Sequence, residues 1–299
     1  MSKIKSYVLP IAIVAALLLH KWCARLCFMV PAIIFSILLL NFSAVNVKQL
    51  KVKIIDLWLM LFQLVVSIGG YALLSLCGAG QVLAHGALIA VLCPVAASAP
   101  VVAVMLGADR GTMTTYTIVG NLMVAVAAPA YFSLLNVQPD ISFWSSFLLI
   151  LGKVAPTIGL PFFVIWALQA HWTQAAGWLR QRNGLAFYLW AIALLFTLGQ
   201  TFDYLFRQGD ATRWSDLALL GLIALAACVL QFAVGRRIGR RYGDKVSGGQ
   251  LLGQKNSAMG IWMCNNYLEP MAALTMAFYS VFQNLFNSWQ LWRKDHDNT

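Results

Sequence analysis

Apolar runs of about 20 residues, separated by short segments that hold most of the charges, constrain this chain more than any other feature of it. A hydrocarbon core roughly 30 Å thick takes about 20 helical residues per crossing, and inside it every backbone polar group needs a partner within the protein. The chain has 299 residues, of which 61% are hydrophobic and 10% charged. Soluble domains carry roughly 25% charged residues. A water-soluble fold of this composition would expose apolar faces large enough to aggregate. The sequence predicts an all-α membrane protein, with 1–299 forming one transmembrane domain and no room for a separate soluble one.

Ten runs are legible, at about 6–22, 26–45, 55–77, 80–106, 112–136, 146–170, 184–203, 215–235, 247–268 and 270–292. Lys3 and Lys5 ahead of the first run are what a signal peptide also shows, but Lys21, Trp22 and Arg25 follow it in place of a small-residue cleavage site. It is therefore read as the first span. The net charge of +11 does not point to nucleic acid, because the basic residues sit in short runs between spans. With the N-terminus in the cytoplasm, fifteen fall on the cytoplasmic side, five of them in Arg236, Arg237, Arg240, Arg241 and Lys245. Four fall on the other side: Lys21, Arg25, Arg207 and Arg213. That bias predicts both termini in the cytoplasm and a bacterial or organellar inner membrane. The six cysteines read as reduced packing residues; Cys23 and Cys27 lack the second ligand pair of a zinc site.

Two of the ten runs are irregular. The fourth contains Cys93-Pro94 and Ala99-Pro100, and the ninth contains Gly248-Gly249 and Gly253 before Lys255-Asn256. Proline removes a backbone donor and glycine loosens a helix, so both are expected to break within the membrane, at Pro94, Pro100 and Gly253. They occupy the fourth place in each half of a five-plus-five division, about 1–136 and 141–299. An odd number of spans per half inverts the second half relative to the first. Paired interruptions at corresponding places are the sequence pointer to an inverted-repeat transporter with its site where the breaks meet.

Cys93-Pro94-Val95-Ala96-Ala97-Ser98-Ala99-Pro100 with Gly107-Ala108-Asp109 resembles the fourth-helix motif of the bile acid:sodium symporter family, Cys-Pro-Gly-Gly-Thr-Ala-Ser-Asn with a short Gly-Asp element after it. Gly253-Gln254-Lys255-Asn256-Ser257 is similar to its ninth-helix element, and Phe278 to Leu285 to its closing segment. Lys48-Gln49-Leu50-Lys51 sits where the family often has a basic loop. The resemblance covers nearly the whole chain. It implies a panel and a core of helices, broken helices 4 and 9 crossing in the core, and alternating-access transport of organic anions such as bile acids or small carboxylates. In many members two sodium ions sit behind the crossing.

Carried over by position, the sodium ligands are largely missing. The family's fourth-helix Ser-Asn falls on Ala99 and Pro100, its fifth-helix Ser and Thr on Met113 and Thr117, and its ninth-helix Glu and Gln on Leu251 and Lys255. Gln63 matches the third-helix Gln. An ammonium stands where a cation would sit, and two like charges about 4 Å apart repel by about 4 kcal/mol at an effective dielectric of 20. Lys255 is therefore expected to replace the bound ion, by holding broken-helix carbonyls, by pairing with an anionic substrate, or by losing a proton during the cycle. The bland alternative is a lysine that snorkels to the cytoplasmic interface.

Asn256, Ser98, Gln254 and Thr117 are the expected substrate contacts, with Lys255, Gln63 and Asn121 at the former ion site; each of the neutral groups fits an ordinary interhelical hydrogen bond equally well. His85 and His20 read as interfacial, Asp56 as a helix-opening charge and Asp109-Arg110 as a turn pair. Glu269-Pro270 reads as a tight turn, with proton coupling as the alternative, and the tryptophans as belt anchors. The reading is a secondary transporter of an organic anion, sodium-independent or proton-coupled, without a cofactor or metal. It is expected to sit in the lipid bilayer as a monomer or weak homodimer. A sodium symporter with rearranged ligands is the first alternative; a membrane sensor or receptor subunit is the alternative of another class. An enzyme would need a nucleophile or a carboxylate and histidine cluster, and the ten acidic residues lie almost all at span ends.

Overall fold

The computed structural model describes residues 3–46, 50–96, 99–135, 142–208 and 214–297. Among them there are helices and turns but no strand, apart from one isolated antiparallel bridge. Five helices are long and apolar enough to cross a membrane: His20–Ser43, Ile54–Leu76, Arg110–Leu134, Leu185–Arg207 and Trp214–Arg241. Phe143–Ile158 and Leu160–His171 form a bent pair that is long and apolar enough to make a sixth if the two are one span. The chain is a multi-pass helical membrane protein.

The first helices are α1 (Lys3–Leu18), α2 (His20–Leu26) and, after a short 3-10 turn, α3 (Val30–Ser43). The expected break near residues 23–25 is helical, within α2. The helical run is interrupted at Leu19, the one residue between α1 and α2, at φ −106° and ψ 19°. Ala16 of α1 and Cys23 of α2 then both lie against Gly199 of α11 (Leu185–Gln208), where a Cβ would strike Cys23. The bent pair is α8 (Phe143–Ile158) and α9 (Leu160–His171), meeting at 43°. Pro161 has no N–H for the carbonyl of Thr157, which accounts for the bend. Helix α10 (Thr173–Gln181) buries Ala176 and leaves Trp178 exposed with Arg182 over its ring, as an interfacial helix does.

The other eight helices surround the two breaks. Helix α4 (Ile54–Leu76) packs on α5 (Gln81–Leu92); α6 (Ala99–Met105) packs on α7 (Arg110–Leu134). A like order of contacts follows later in the chain. Helix α12 (Trp214–Arg241) packs on α13 (Lys245–Gly253), and α14 (Ser257–Tyr267) on α15 (Ala273–Asp297). The expected fourth and ninth runs are thus two short helices each. Twelve residues of helix span about 18 Å, less than a hydrocarbon core about 30 Å thick, so none of these four short helices reaches across a bilayer by itself.

The α12–α13 hairpin is closed by glycine. Gly235 and Gly239, one turn apart, lie against Gly248, and a Cβ at any of the three would enter the opposing backbone. Gly243 makes the turn at φ 76°, and the Asp244 carboxylate accepts the Ser247 N–H at 3.1 Å. Helix α12 runs to Arg241, six residues beyond the expected end at 235, so Arg236 to Arg241 are helical and not a loop.

Two sets of contacts mark the ends of the bundle. At one, His20 Nδ1 and Asp203 Oδ1 are 3.0 Å apart and Arg207 pairs with Asp203 at 2.7 Å. At the other, Lys53 Nζ reaches Asp109 Oδ1 at 2.9 Å, the Asp109 N–H donates to Ser247 Oγ at 3.1 Å, and Lys294 Nζ donates to the Met105 carbonyl at 2.9 Å. Asp109 therefore pairs with Lys53, not with its neighbour Arg110. The Asp109 carboxylate caps α7, and hydrogen bonds from the Thr112 hydroxyl, Lys53 and the Thr112 N–H hold it well below the usual carboxylate range.

Two predictions follow from this packing. Gly248→Leu forces a side chain into the Gly235 carbonyl and the Gly239 backbone and costs about 1–3 kcal/mol or more; it lowers the melting temperature in detergent. Gly152→Ala, in the interior of α8 where the added methyl meets nothing within 4 Å, raises the melting temperature slightly, since alanine is favoured over glycine in a helix by about 0.5–1 kcal/mol. Asp109 has a depressed folded-state value, so its contribution is present at neutral pH and is lost as pH falls below an unfolded value of about 4. The melting difference between wild type and Asp109→Asn is small, since the carboxylate is half-exposed. It stays level above about pH 5 and shrinks below pH 4 in an acid series.

Candidate functional site

The two interruptions meet. Val95 and Lys255 form the isolated antiparallel bridge, with the Ala96 N–H donating to the Gln254 carbonyl at 3.0 Å and the Asn256 N–H to the Pro94 carbonyl at 2.9 Å. The reason is local. Pro94 ends α5 by withholding a donor; Gly253, set against the Phe232 ring where no Cβ fits, ends α13. Each extended break then supplies the backbone partners that the other lacks, as membrane depth requires.

The carbonyl end of α5 carries the most side-chain donors. Gln63 of α4 donates through Nε2 to the Leu92 and Cys93 carbonyls at 2.8 and 3.1 Å. Gln231 of α12 donates to the Ala90 carbonyl at 3.0 Å. Lys255 Nζ donates to the Val91 carbonyl at 2.9 Å. Four successive carbonyls of a helix C-terminus are thus met by three side chains from three segments, the cation at the negative end of the helix dipole. Lys255 is 1% exposed. Its ammonium turns inward and does not snorkel to the interface.

The break around Lys255 is held just as closely. Gln283 of α15 accepts the Lys255 N–H at 2.7 Å and donates to its carbonyl at 3.1 Å. The Tyr279 hydroxyl donates to the Gly253 carbonyl at 2.9 Å and accepts from Gln231 at 3.0 Å. Tyr116 of α7 donates to Gln63 Oε1 at 3.0 Å, and the Cys93 thiol to the Asn256 carbonyl at 3.0 Å.

Of the expected site residues, Lys255, Gln63, Gln254 and Asn256 come together at the crossing, and Pro94 and Gly253 flank it. Pro100 lies in the first turn of α6 and does not break a helix there; the interruption precedes it. Asn256 caps α14, its Oδ1 accepting the Met259 N–H at 3.3 Å. Gln254 donates to Gln250, which donates to Gln290 at 3.2 Å, and Arg236 reaches the same Gln290 oxygen at 2.5 Å. Thr117 and Asn121 donate to carbonyls of their own helix, those of Met113 and Thr117, at 2.7 and 2.6 Å. Ser98 and Lys48 lie outside the described residues.

Sodium does not fit this centre. Gln63 Oε1 already accepts from Tyr116, Lys255 occupies the middle, and Ala99 and Leu251 offer no side-chain oxygen. Two surface clefts lie away from it. One, of about 590 Å³, is lined by His20, Lys21, Ala24, Arg25, Asp203, Phe206 and Arg207; the other, of about 420 Å³, is at the α12–α13 junction.

Gln231, Tyr279, Tyr116 and Gln283 were not among the expected site residues. A signal for them exists: Gln63 and Gln231 lie in the third and eighth runs, Tyr116 and Tyr279 in the fifth and tenth, places that correspond in a five-plus-five chain. Neither protein-family models nor curated proteins give a match to the chain.

Gln63→Leu leaves two buried carbonyls and the Tyr116 hydroxyl unpaired and destabilises the protein by about 1–3 kcal/mol. Thr117→Val, which removes a hydroxyl bonded within its own helix, costs less. Melting curves of the two variants in one detergent check the order.

Proposed function

We propose that the chain is a secondary transporter that moves an organic anion, bile-acid-like or a small carboxylate, across the bacterial inner membrane by alternating access. The observation that carries this reading is the pairing of two interrupted helices through their backbones, with a lysine buried between them. Such crossings place helix ends and unpaired dipoles at mid-membrane, which is where transporters bind their cargo. In this reading ten spans form two inverted five-span repeats. Helices α4–α7 and α12–α15 make the core, and α1–α3 and α8–α11 the panel. The matching contact order of the two halves supports it: α4 on α5 and α6 on α7 correspond to α12 on α13 and α14 on α15. So does the grouping of Lys53, Arg236 to Lys245 and Lys294 at one end of the bundle, the end assigned to the cytoplasm together with both termini.

Lys255 takes the role of the bound cation. Its ammonium holds the α5 carbonyl end, an arrangement that needs no sodium, so transport is sodium-independent. The alternative, a sodium symporter using Gln63, Thr117 and Asn121, is disfavoured by their existing hydrogen bonds to Tyr116, Leu92, Cys93 and their own helix. Gln254 and Asn256, with Ser98, are the proposed neutral contacts to the substrate. Both described residues are buried here, so cargo reaches them as core and panel shift.

The test is thermal stability of purified wild type and Lys255→Gln across a sodium titration, with potassium as the ionic-strength control. Wild type is expected to be insensitive and the variant to gain stabilisation from sodium. Sodium-specific stabilisation of wild type overturns the charge-replacement reading. In proteoliposomes, labelled bile acid or small carboxylate enters equally in sodium and potassium; no uptake above empty vesicles for either class overturns the transporter reading.

A further inference from the structure

We propose that the cleft at the α12–α13 junction binds the phosphodiester headgroup of an anionic phospholipid. The cleft, about 420 Å³, is lined by Ala233, Val234, Arg236, Arg237, Arg240 and Lys245: four cations, two small apolar residues and no carboxylate. The glycine contact between the two helices builds it. Because Gly235 and Gly239 let α13 lie directly on α12, the Lys245 side chain at the start of α13 comes beside Arg237 and Arg240 near the end of α12.

The cations are not occupied alike. Arg236 donates to Gln290 at 2.5 Å and sits 5.5 Å from the Phe286 ring centre. Arg237, Arg240 and Lys245 are exposed, and their side chains make no hydrogen bond or ion pair among the described residues. Asp244, the nearest carboxylate in sequence, turns its side chain to cap α13. Three cations of one sign at the end of a span hold a phosphate oxygen well.

What selects a lipid over a free anion is the surface that leads to the cleft. Leu222, Leu225 and Val229 are exposed at 60, 42 and 58%, and Ala233 continues them at helical spacing. This stripe runs along α12 into the cations. It offers acyl chains a track that ends at a positively charged headgroup site, a complement to an anionic phospholipid. The proposal rests on the membrane assignment alone and stands whether or not the protein transports an anion.

Native mass spectrometry in a neutral detergent, with phosphatidylglycerol, phosphatidylcholine or inorganic phosphate added, tests it. Wild type is expected to retain phosphatidylglycerol in preference to phosphatidylcholine and to ignore phosphate. Arg237→Gln/Arg240→Gln/Lys245→Gln is expected to weaken phosphatidylglycerol binding on the order of a hundredfold, and Arg240→Gln alone by about fivefold. The single variant keeps the test valid if the triple variant does not fold. Lys21→Gln/Arg25→Gln, at the other cleft, keeps the preference. Equal retention of the two lipids overturns the proposal. So does an unchanged preference in the cleft variants, loss of preference in the Lys21 and Arg25 variant, or binding of inorganic phosphate that competes with lipid.

Discussion

A helix that stops inside a bilayer leaves its last carbonyls without partners, at several kcal/mol for each one left bare in hydrocarbon. Under the proposed function two helices of this chain, α5 and α13, do so, and they stop beside one another. The bridge between Val95 and Lys255 is therefore the contact on which the surrounding architecture turns. It satisfies part of each break from the other, and it fixes which helices must stand close enough to satisfy the rest. Gln63 has to come from α4, Gln231 from α12, and Tyr279 and Gln283 from α15. The glycine contact of α12 with α13 belongs to the same requirement, since it brings the Gln231 segment and the break into one layer.

The two ends meet this need unequally. The α5 end receives Gln231, Lys255 and Gln63 in succession, whereas the α13 end receives Tyr279 at Gly253 and the break backbone at Gln254. Lys255 stands at the side with the denser set of carbonyls. On insertion scales a lysine at the bilayer centre costs about 2.5–3.5 kcal/mol. The contact with the Val91 carbonyl, at the negative end of a helix dipole, offsets part of that, and removing the lysine would expose the same carbonyl.

Much of this was legible because breaks in membrane helices use conspicuous chemistry. Pro94, Gly253 and Lys255 stand out against apolar neighbours. Boundaries without punctuation were not legible. Leu19 interrupts a helix with neither glycine nor proline, and α12 continues through Arg241 because arginine is a good helix former and favoured at a C-terminus. The partners of the breaks were hidden for another reason. A glutamine or tyrosine in an apolar run bonds its own helix, as Asn121 does, or a distant carbonyl, as Gln231 does. Only the packing decides which. Pro100 misled for the converse reason: a proline in a first helical turn removes no hydrogen bond and breaks nothing.

Under the proposed function, a tethered ammonium differs from a bound sodium ion in one thermodynamic respect. A bound ion couples a gradient to transport because it joins on one side and leaves on the other, so its chemical potential enters the cycle. Lys255 is fixed to the chain and keeps the α5 and α13 ends together without either event. It can preserve the geometry of the crossing, but a sodium gradient does no work through it. A ligand shifts a conformational equilibrium only by its differential affinity for the two states. With the cation built in, that difference has to come from the anion itself. A carrier of this kind follows its substrate's own gradient or exchanges one anion for another, unless the lysine releases its proton during the cycle. Then the proton, crossing with the substrate or against it, becomes the coupling ion.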